Sequence, residues 1–132
     1  MRKHKISLTK VQEAFNSAIK RRDRRCKIQD YEPCCGELEC SHFFSVGSSP
    51  ALRFYPLNAW AQCQKHHWNH HNQSVSIYNN WMAKNHLEDL NRMLCMRHMY
   101  IKYTDELKAE IIKLCNADKL DELKTLIEEK LQ

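Results

Sequence analysis

The stretch CQKHHWNHH, from Cys63 to His71, places four histidines and one cysteine within nine residues. Half of the eight histidines of this 132-residue chain lie in it. Thiolates and imidazoles are the side chains that zinc and related metals prefer as ligands. The density of such groups predicts that this stretch binds metal.

The spacing of these residues divides them into two pairs. Cys63 and His66 are three residues apart, so at the start of a helix they face one way, as the ligands of a tetrahedral zinc site do. His67 and His71 are four residues apart and lie on an adjacent helix face, offset by roughly 100° from the first pair. We therefore predict a structural zinc at the start of a short helix and an open site for a catalytic metal beside it.

Residues outside this stretch must complete both sites. The structural zinc needs two more ligands, and the sequence leaves the choice open among the preceding cysteines, Cys26, Cys34, Cys35 and Cys40. A hydrolytic site also needs a base, and His42 lies on a segment with strand-like alternation.

Composition limits the class of protein. Two glycines in 132 residues argue against a glycine-rich phosphate loop and against a turn-dense all-β fold. No apolar run reaches about 18 residues, so no transmembrane helix is expected. The first residues lack the apolar core of a signal peptide. We therefore expect a reducing cytoplasm, where the seven cysteines are metal ligands or buried thiols.

The charge of the chain is unevenly distributed. Residues 1–27 contain ten Lys and Arg against two acidic residues, whereas residues 28–103 contain six of each. Residues 104–132 contain five basic and eight acidic residues. A basic front on a nearly neutral body favours contact with a polyanion such as nucleic acid. A solvated, charged helix is the alternative explanation.

The pattern of apolar residues predicts a single α+β domain over residues 1–132. Three parts are expected along it: a basic N-terminal helix over 1–25, a metal-binding ββα core over 26–73 and a helical C-terminal part over 74–132.

Local signals predict where some of these elements begin. Ser7 and Thr9 are the two candidates for the N-cap of the first helix, and Thr104 is the expected N-cap of a later one. Residues 37–45 place Leu38, Cys40, His42 and Phe44 on one face, an alternation that predicts a strand. Residues 51–60 are expected to form a second extended segment.

The ordered set His42, Asn58, His67 and His71 resembles the HNH, or ββα-metal, nuclease motif. His42 and Asn58 are 16 positions apart and Asn58 and His67 are nine apart, spacings similar to those of the colicin DNases. In that family the strand histidine is the general base, the asparagine fixes the loop between the strands, and the helix histidines hold a divalent metal. The resemblance implies the same roles here.

A longer segment, SHFFSVGSSPALRFYPLNAWAQC from Ser41 to Cys63, is similar to the central signature of the phage NinG (Rap) recombination proteins. The matching positions are His42, Pro50, Leu52, Arg53, Phe54, Asn58, Gln62 and Cys63. This resemblance implies an endonuclease that is selective for branched recombination DNA and acts in the cytoplasm of a bacterial host.

The same family suggests which cysteines bind zinc. Its first zinc knuckle has the form C-x-x-C-G, and Cys35 with Gly36 matches the second half of it. Cys26 is then the expected first ligand, with Cys34 as the alternate, because the neighbouring Cys34 and Cys35 make a poor chelate. The predicted set for the structural zinc is Cys26, Cys35, Cys63 and His66.

The second metal site departs from the family pattern. The residue before the base, often a metal ligand in HNH enzymes, is Ser41 here. The catalytic Mg²⁺ or Mn²⁺ therefore has two evident protein ligands, unless Glu39 or a water completes its shell. Ser41 also supports an alternative, in which the chain is a zinc-stabilised DNA-binding module with a degenerate site and no cleavage activity.

Arginines are the expected contacts to DNA. Arg21, Arg22, Arg24 and Arg25 end the first helix, where we expect them to bind backbone phosphates, and Arg53 is expected to brace the scissile phosphate. Cleavage of a four-way junction would favour two active sites, so a homodimer is a further hypothesis.

Overall fold

The computed structural model describes residues 5–28, 33–72 and 75–132. Within them the chain forms six α-helices and a two-stranded antiparallel sheet, so the predicted α+β class is confirmed. None of these helices is long and apolar enough to cross a membrane. The elements are α1 (Leu8–Asp23), β1 (Leu38–His42), β2 (Ala59–Cys63), α2 (Gln64–Asn72), α3 (Val75–Asn85), α4 (Leu87–Met96), α5 (Asp105–Asn116) and α6 (Leu120–Lys130).

Two helices begin at side-chain caps. The hydroxyl of Ser7 accepts a hydrogen bond from the N–H of Lys10 at 3.2 Å, so Ser7 and not Thr9 caps α1. The hydroxyl of Thr104 accepts one from the N–H of Leu107 at 3.1 Å, as predicted for α5. In both cases the cap satisfies an amide that the first helical turn leaves without a partner.

The sheet has a register that places His42 opposite Ala59, at the end where β1 leaves the sheet. β1 is shorter than the strand predicted over 37–45. It ends at His42 because the following amides turn towards Asn58, whose carbonyl accepts from the N–H of Phe43 at 2.8 Å.

The prediction of an extended segment over residues 51–60 is wrong for most of its length. Two short 3₁₀ helices, Pro50–Leu52 and Pro56–Asn58, occupy this part of the chain, and β2 starts only at Ala59. Both helical turns begin with proline, whose fixed φ suits the first position of a helix.

One hydrophobic cluster lies between α1, the sheet and the C-terminal helices. α1 packs on both strands and on α5, and α6 packs on α5. All five residues of β2 are buried. The side chains that α1 buries in this cluster are Val11, Phe15, Ala18 and Ile19.

A buried ion pair ties the end of α1 to the sheet. The carboxylate of Asp23, whose side chain is 3% exposed, accepts two hydrogen bonds from Arg22, at 2.7 and 3.0 Å. It also accepts one from the N–H of Ala61 in β2, at 2.9 Å. Arg22 donates further to the carbonyls of Pro56 and Ala59, at 2.9 and 2.7 Å. Arg22, predicted to contact DNA, thus has its guanidinium bonded within the fold, where it holds α1 against the sheet.

We expect Asp23→Asn to lower the free energy of unfolding by about 2 to 3 kcal/mol, measured by chemical denaturation. The new amide would present donors to Arg22 and to the N–H of Ala61 in a buried position. The matched control is Asp118→Asn, because Asp118 and its partner Arg21 are half-exposed, at 56% and 45%. This control should cost less than about 1 kcal/mol. Equal losses of unfolding free energy in the two variants would contradict the structural role of the buried Asp23.

Candidate metal centre and the adjacent histidine cleft

Four side chains from three parts of the chain converge at the start of α2. The ligand atoms of Cys26, Cys34, Cys63 and His66 all lie within 4.8 Å of one another. The sulfur atoms lie 3.2, 3.7 and 3.1 Å, in the order of the cysteines, from Nδ1 of His66. Tetrahedral zinc with bonds of about 2.3 Å to sulfur and about 2.0 Å to nitrogen would separate S and N by roughly 3.6 Å. The cluster therefore suits a structural metal such as zinc.

Cys34, and not Cys35, completes this cluster. The prediction that Cys35 binds the structural metal is wrong, and the alternate ligand takes its place. Successive side chains of a non-helical segment point to different sides of the chain. Cys35 accordingly lines a separate cleft beside His67, while its carbonyl accepts a hydrogen bond from the N–H of Lys65 at 3.1 Å.

The loop before β1 holds the first turn of α2. The N–H of Gln64 donates to the carbonyl of Glu37 at 3.0 Å, next to the bond between Lys65 and Cys35. This close approach favours Gly36, which has φ of 89°, since a Cβ there would lie 2.8 Å from Cβ of Gln64. The side chain of Gln64 thus lies directly against the backbone of Gly36.

The cluster also favours a thiolate at Cys63. Burial acts to raise the pKa of this thiol, but hydrogen bonds from the backbone of His66 and Cys35 outweigh it and bring the pKa below the ordinary 9.0. Burial raises the pKa of Cys26. Because metals bind the thiolate, the lowered pKa suits Cys63 to be a metal ligand.

His67 and His71 line an open cleft of about 610 Å³ on another face of α2. Their rings are 4.9 Å apart between centroids, and Oε1 of Glu39 in β1 lies 3.0 Å from Nδ1 of His67. Among the residues that the structure describes, these three side chains do not form a preassembled ligand group of the kind found in the cysteine cluster. The cleft offers a divalent cation two imidazoles, one nearby carboxylate and room for water.

The hydrogen bond of His67 and the burial of His71 both suit metal binding. A carboxylate only accepts hydrogen bonds at neutral pH, so Nδ1 of His67 carries the proton shared with Glu39 and Nε2 has a free lone pair. Burial, with a smaller effect from the charge of His67, lowers the pKa of His71. The lowered pKa favours the neutral form of His71, which is the form that binds a metal.

His42 lies at the end of β1 with one nitrogen engaged. Its Nε2 donates to the carbonyl of Arg53 at 2.8 Å, and its ring stacks on Phe15 with centroids 5.9 Å apart. The neutral imidazole therefore has its lone pair on Nδ1. Burial lowers its pKa from the ordinary 6.5, and the charges of His67 and His71 act in the same direction. The ring of His42 does not line the cleft of these two histidines.

Asn58 is fully buried and bonds the loop between the strands. Its Oδ1 accepts from the N–H of Phe44 at 2.8 Å. Its Nδ2 donates to the carbonyls of Phe44 and Leu52, at 3.0 and 3.1 Å. These bonds fix the backbone on both sides of the turn that follows His42.

Ser41 does not point into the histidine cleft. It is fully buried, and its hydroxyl has no hydrogen-bond partner within the described part of the chain. Its carbonyl accepts from the hydroxyl of Tyr78 at 2.8 Å. The position that is often a metal ligand in HNH enzymes is thus a packing position here.

The other arginines that were expected to contact DNA lie away from the histidine cleft. Arg21 donates to Asp118 and Arg53 to Gln12, both at 2.8 Å. Arg24, at the exposed end of α1, shares a cleft of about 920 Å³ with Arg21 and with three carboxylates. Those carboxylates are Asp118, Asp121 and Glu122. The structure does not gather these arginines beside His67 and His71.

Sequence reasoning missed two contributors to the site. Asp23 accepts a hydrogen bond from the N–H of Ala61 in β2. The sequence marks it only as a single acidic residue at the end of an arginine-rich helix. The carbonyl of Arg53 orients His42 and has no sequence signal, because every residue has a carbonyl. Glu39 was considered only as a metal ligand, whereas here it bonds His67.

Comparisons of the chain with protein-family models, with curated proteins and with solved structures find no match. The class that the fold and the site define is a small α+β protein with a cluster of three cysteines and one histidine suited to a metal. The resemblance to HNH and NinG proteins depends on the sequence motifs alone.

Two adjacent cysteines provide a matched test of the metal cluster. We expect Cys34→Ala to lose most of the bound zinc and to lower the melting temperature, because one of four ligands is removed. Cys35→Ala should keep the metal, since its sulfur lies outside the cluster. Metal content per chain, by elemental analysis of the purified proteins, measures both. Retention by the first variant and loss by the second would refute the ligand set.

Proposed function

We propose that this chain is a metal-dependent DNA endonuclease of the HNH type. The observation that carries the proposal is the combination, in one ββα unit, of a strand histidine, a loop asparagine and two helix histidines. These are His42, Asn58, His67 and His71. A module held together by the cysteine cluster alone would need none of the three histidines.

His67 and His71 are the residues that would hold the divalent cation. The hydrogen bond from His67 to Glu39 leaves Nε2 of His67 available, and the second shell of a metal site commonly contains such a carboxylate. Few protein ligands and an open cleft suit Mg²⁺ or Mn²⁺ with several waters. When bound, the cation would stabilise the charge that develops at the scissile phosphate and the leaving oxygen.

His42 would act as the general base. With Nε2 bound to the carbonyl of Arg53, Nδ1 is the nitrogen that would take a proton from the attacking water. The same carbonyl would stabilise the imidazolium that results. Asn58 would serve by holding the loop on which this carbonyl is placed, through its bonds to Phe44 and Leu52.

The expected substrate is DNA, with branched recombination intermediates in a phage context suggested by the likeness to NinG proteins. The ten basic residues against two acids in residues 1–27 support binding to a polyanion. Arg24 and Arg25 are exposed and suited to phosphate contacts. Two copies of the chain acting together would suit a branched substrate with two strands to cut.

One observation favours a second function, a zinc-stabilised DNA-binding module without cleavage. Ser41 is buried at the position where many HNH enzymes have a metal ligand, so the second metal would have few protein ligands. The two functions differ in a single result, which is whether Mg²⁺ or Mn²⁺ produces cleavage.

We expect zinc-loaded protein to cut supercoiled plasmid and a labelled four-way junction when Mg²⁺ or Mn²⁺ is added. His42→Ala should reduce the rate by about 10² to 10⁴, because the general base is lost. His67→Ala should lose the activation by metal. His98→Ala is the control, since this exposed histidine lies outside the motif. Unchanged cutting by His42→Ala, in a folded variant with full zinc content, would refute the role of His42. DNA binding without cutting under every metal would favour the second function.

The pH dependence of cleavage provides a separate prediction. A general base acts in its deprotonated form, so the rate should rise with pH through the pKa of His42 and then level off. Burial lowers this pKa from 6.5, so the rising limb should lie below pH 6.5. Single-turnover cleavage rates from acidic to neutral pH measure it. A rise in rate centred above pH 6.5, with the protein folded throughout, would argue against a buried His42 as the base.

A further inference from the structure

Trp68 is exposed in a way that the other tryptophans of the chain are not. It is 54% exposed, whereas Trp60 and Trp81 are each 7% exposed and belong to the hydrophobic core. An indole ring in water is a large apolar surface without a packing role, and tryptophan is enriched at the interfaces where proteins bind their partners. Packing in the hydrophobic core therefore does not explain why position 68 is a tryptophan.

The position of Trp68 is informative. It lies on α2 directly after His67 and three residues before His71, about 60° around the helix from the latter. It lines the same open cleft as both histidines, together with Lys65 one turn earlier. An exposed aromatic ring and a cationic side chain therefore flank the two imidazoles that would hold the metal.

We propose that Trp68 stacks on an unpaired nucleobase beside the scissile phosphate, so that the chain acts on DNA with a single-stranded segment at the cut. This inference rests on the nuclease function proposed above. Bases inside a duplex are covered by their neighbours on both faces, whereas an unpaired base can leave the strand and stack on an aromatic side chain. Such stacking depends little on sequence, because every base has an aromatic face.

Lys65 supplies the second element of such a site. A lysine beside an aromatic ring is the usual combination in grooves that bind single strands, where the cation contacts the backbone and the ring contacts the base. Branched DNA has unpaired or readily unpaired bases at its junction. The stacking role of Trp68 would therefore select branched or frayed DNA by its structure and without reading its sequence.

The test uses the zinc-loaded full chain without added Mg²⁺ or Mn²⁺, so that binding is separate from cleavage. Three probes are compared: an oligothymidylate strand, an abasic strand of the same length and the base-paired duplex. Trp68→Leu should weaken binding of oligothymidylate roughly tenfold and leave the other two unchanged. Trp68→Phe should retain most of the affinity. The control is Tyr100→Leu, because Tyr100 is 62% exposed and does not line this cleft.

Equal weakening of all three probes by Trp68→Leu would overturn the stacking role, as would unchanged binding of oligothymidylate. Wild-type cleavage with Mn²⁺ is measured in parallel. Cleavage together with base-independent binding would overturn the role of Trp68 alone. Base-dependent binding without cleavage would overturn the nuclease function and leave Trp68 as a base-binding residue. Failure to bind any of the three probes would overturn both.

Discussion

α2 has almost no apolar surface with which to attach itself to the sheet. Within Gln64–Asn72 the buried residues are His66 and His70, and none of its side chains belongs to the hydrophobic core. Helices in globular proteins are ordinarily held by an apolar face, and a helix of nine residues is not stable alone. The attachment of α2 therefore depends on the cysteine cluster at its first turn, on the amide bonds to the preceding loop, and on the buried ring of His70, whose centroid lies 4.6 Å from that of Tyr78 in α3.

This mode of attachment explains how one short helix can serve two purposes. The metal cluster uses the face that contains His66, at the first turn, and His70 packs on α3, so the face that lines the open cleft is not needed for packing. His67, Trp68 and His71 are left on an open surface. On the other side of β2, Arg22 and Asp23 bond the same strand from α1. β2 is thus held by α1 as well as by its pairing with β1, and its position determines where α2 begins.

Spacing rules predicted the parts of the site that lie within one element. The pitch of a helix separates the pair Cys63 and His66 from the pair His67 and His71. Thr104 was identified as an N-cap because its own side chain can accept the hydrogen bond. Predictions that depended on loops were less successful. The choice between Cys34 and Cys35 depends on which way a non-helical backbone faces, and that direction is set by carbonyl bonds to α2.

Other differences arose because the partner lies far away in the sequence. The sequence indicated that Arg22 is a phosphate contact. In the structure its guanidinium donates to the carbonyls of Pro56 and Ala59, both within 3 Å. A free arginine and a structural arginine have the same local sequence, and only the fold distinguishes them. The bond from His67 to Glu39 is similar, since it joins residues whose separation is fixed by the pairing of β1 with β2.

The environment of His42 shows why the motif alone does not define the site. Its ring is stacked on Phe15 of α1, and its Nε2 bonds the carbonyl of Arg53. The side chain of Arg53 in turn donates to Gln12, which also belongs to α1. Two contacts from α1 therefore orient the candidate base, and α1 is itself packed against α5. The flanking helices are part of the site, so residues 26–73 would not be expected to hold His42 in this geometry without them.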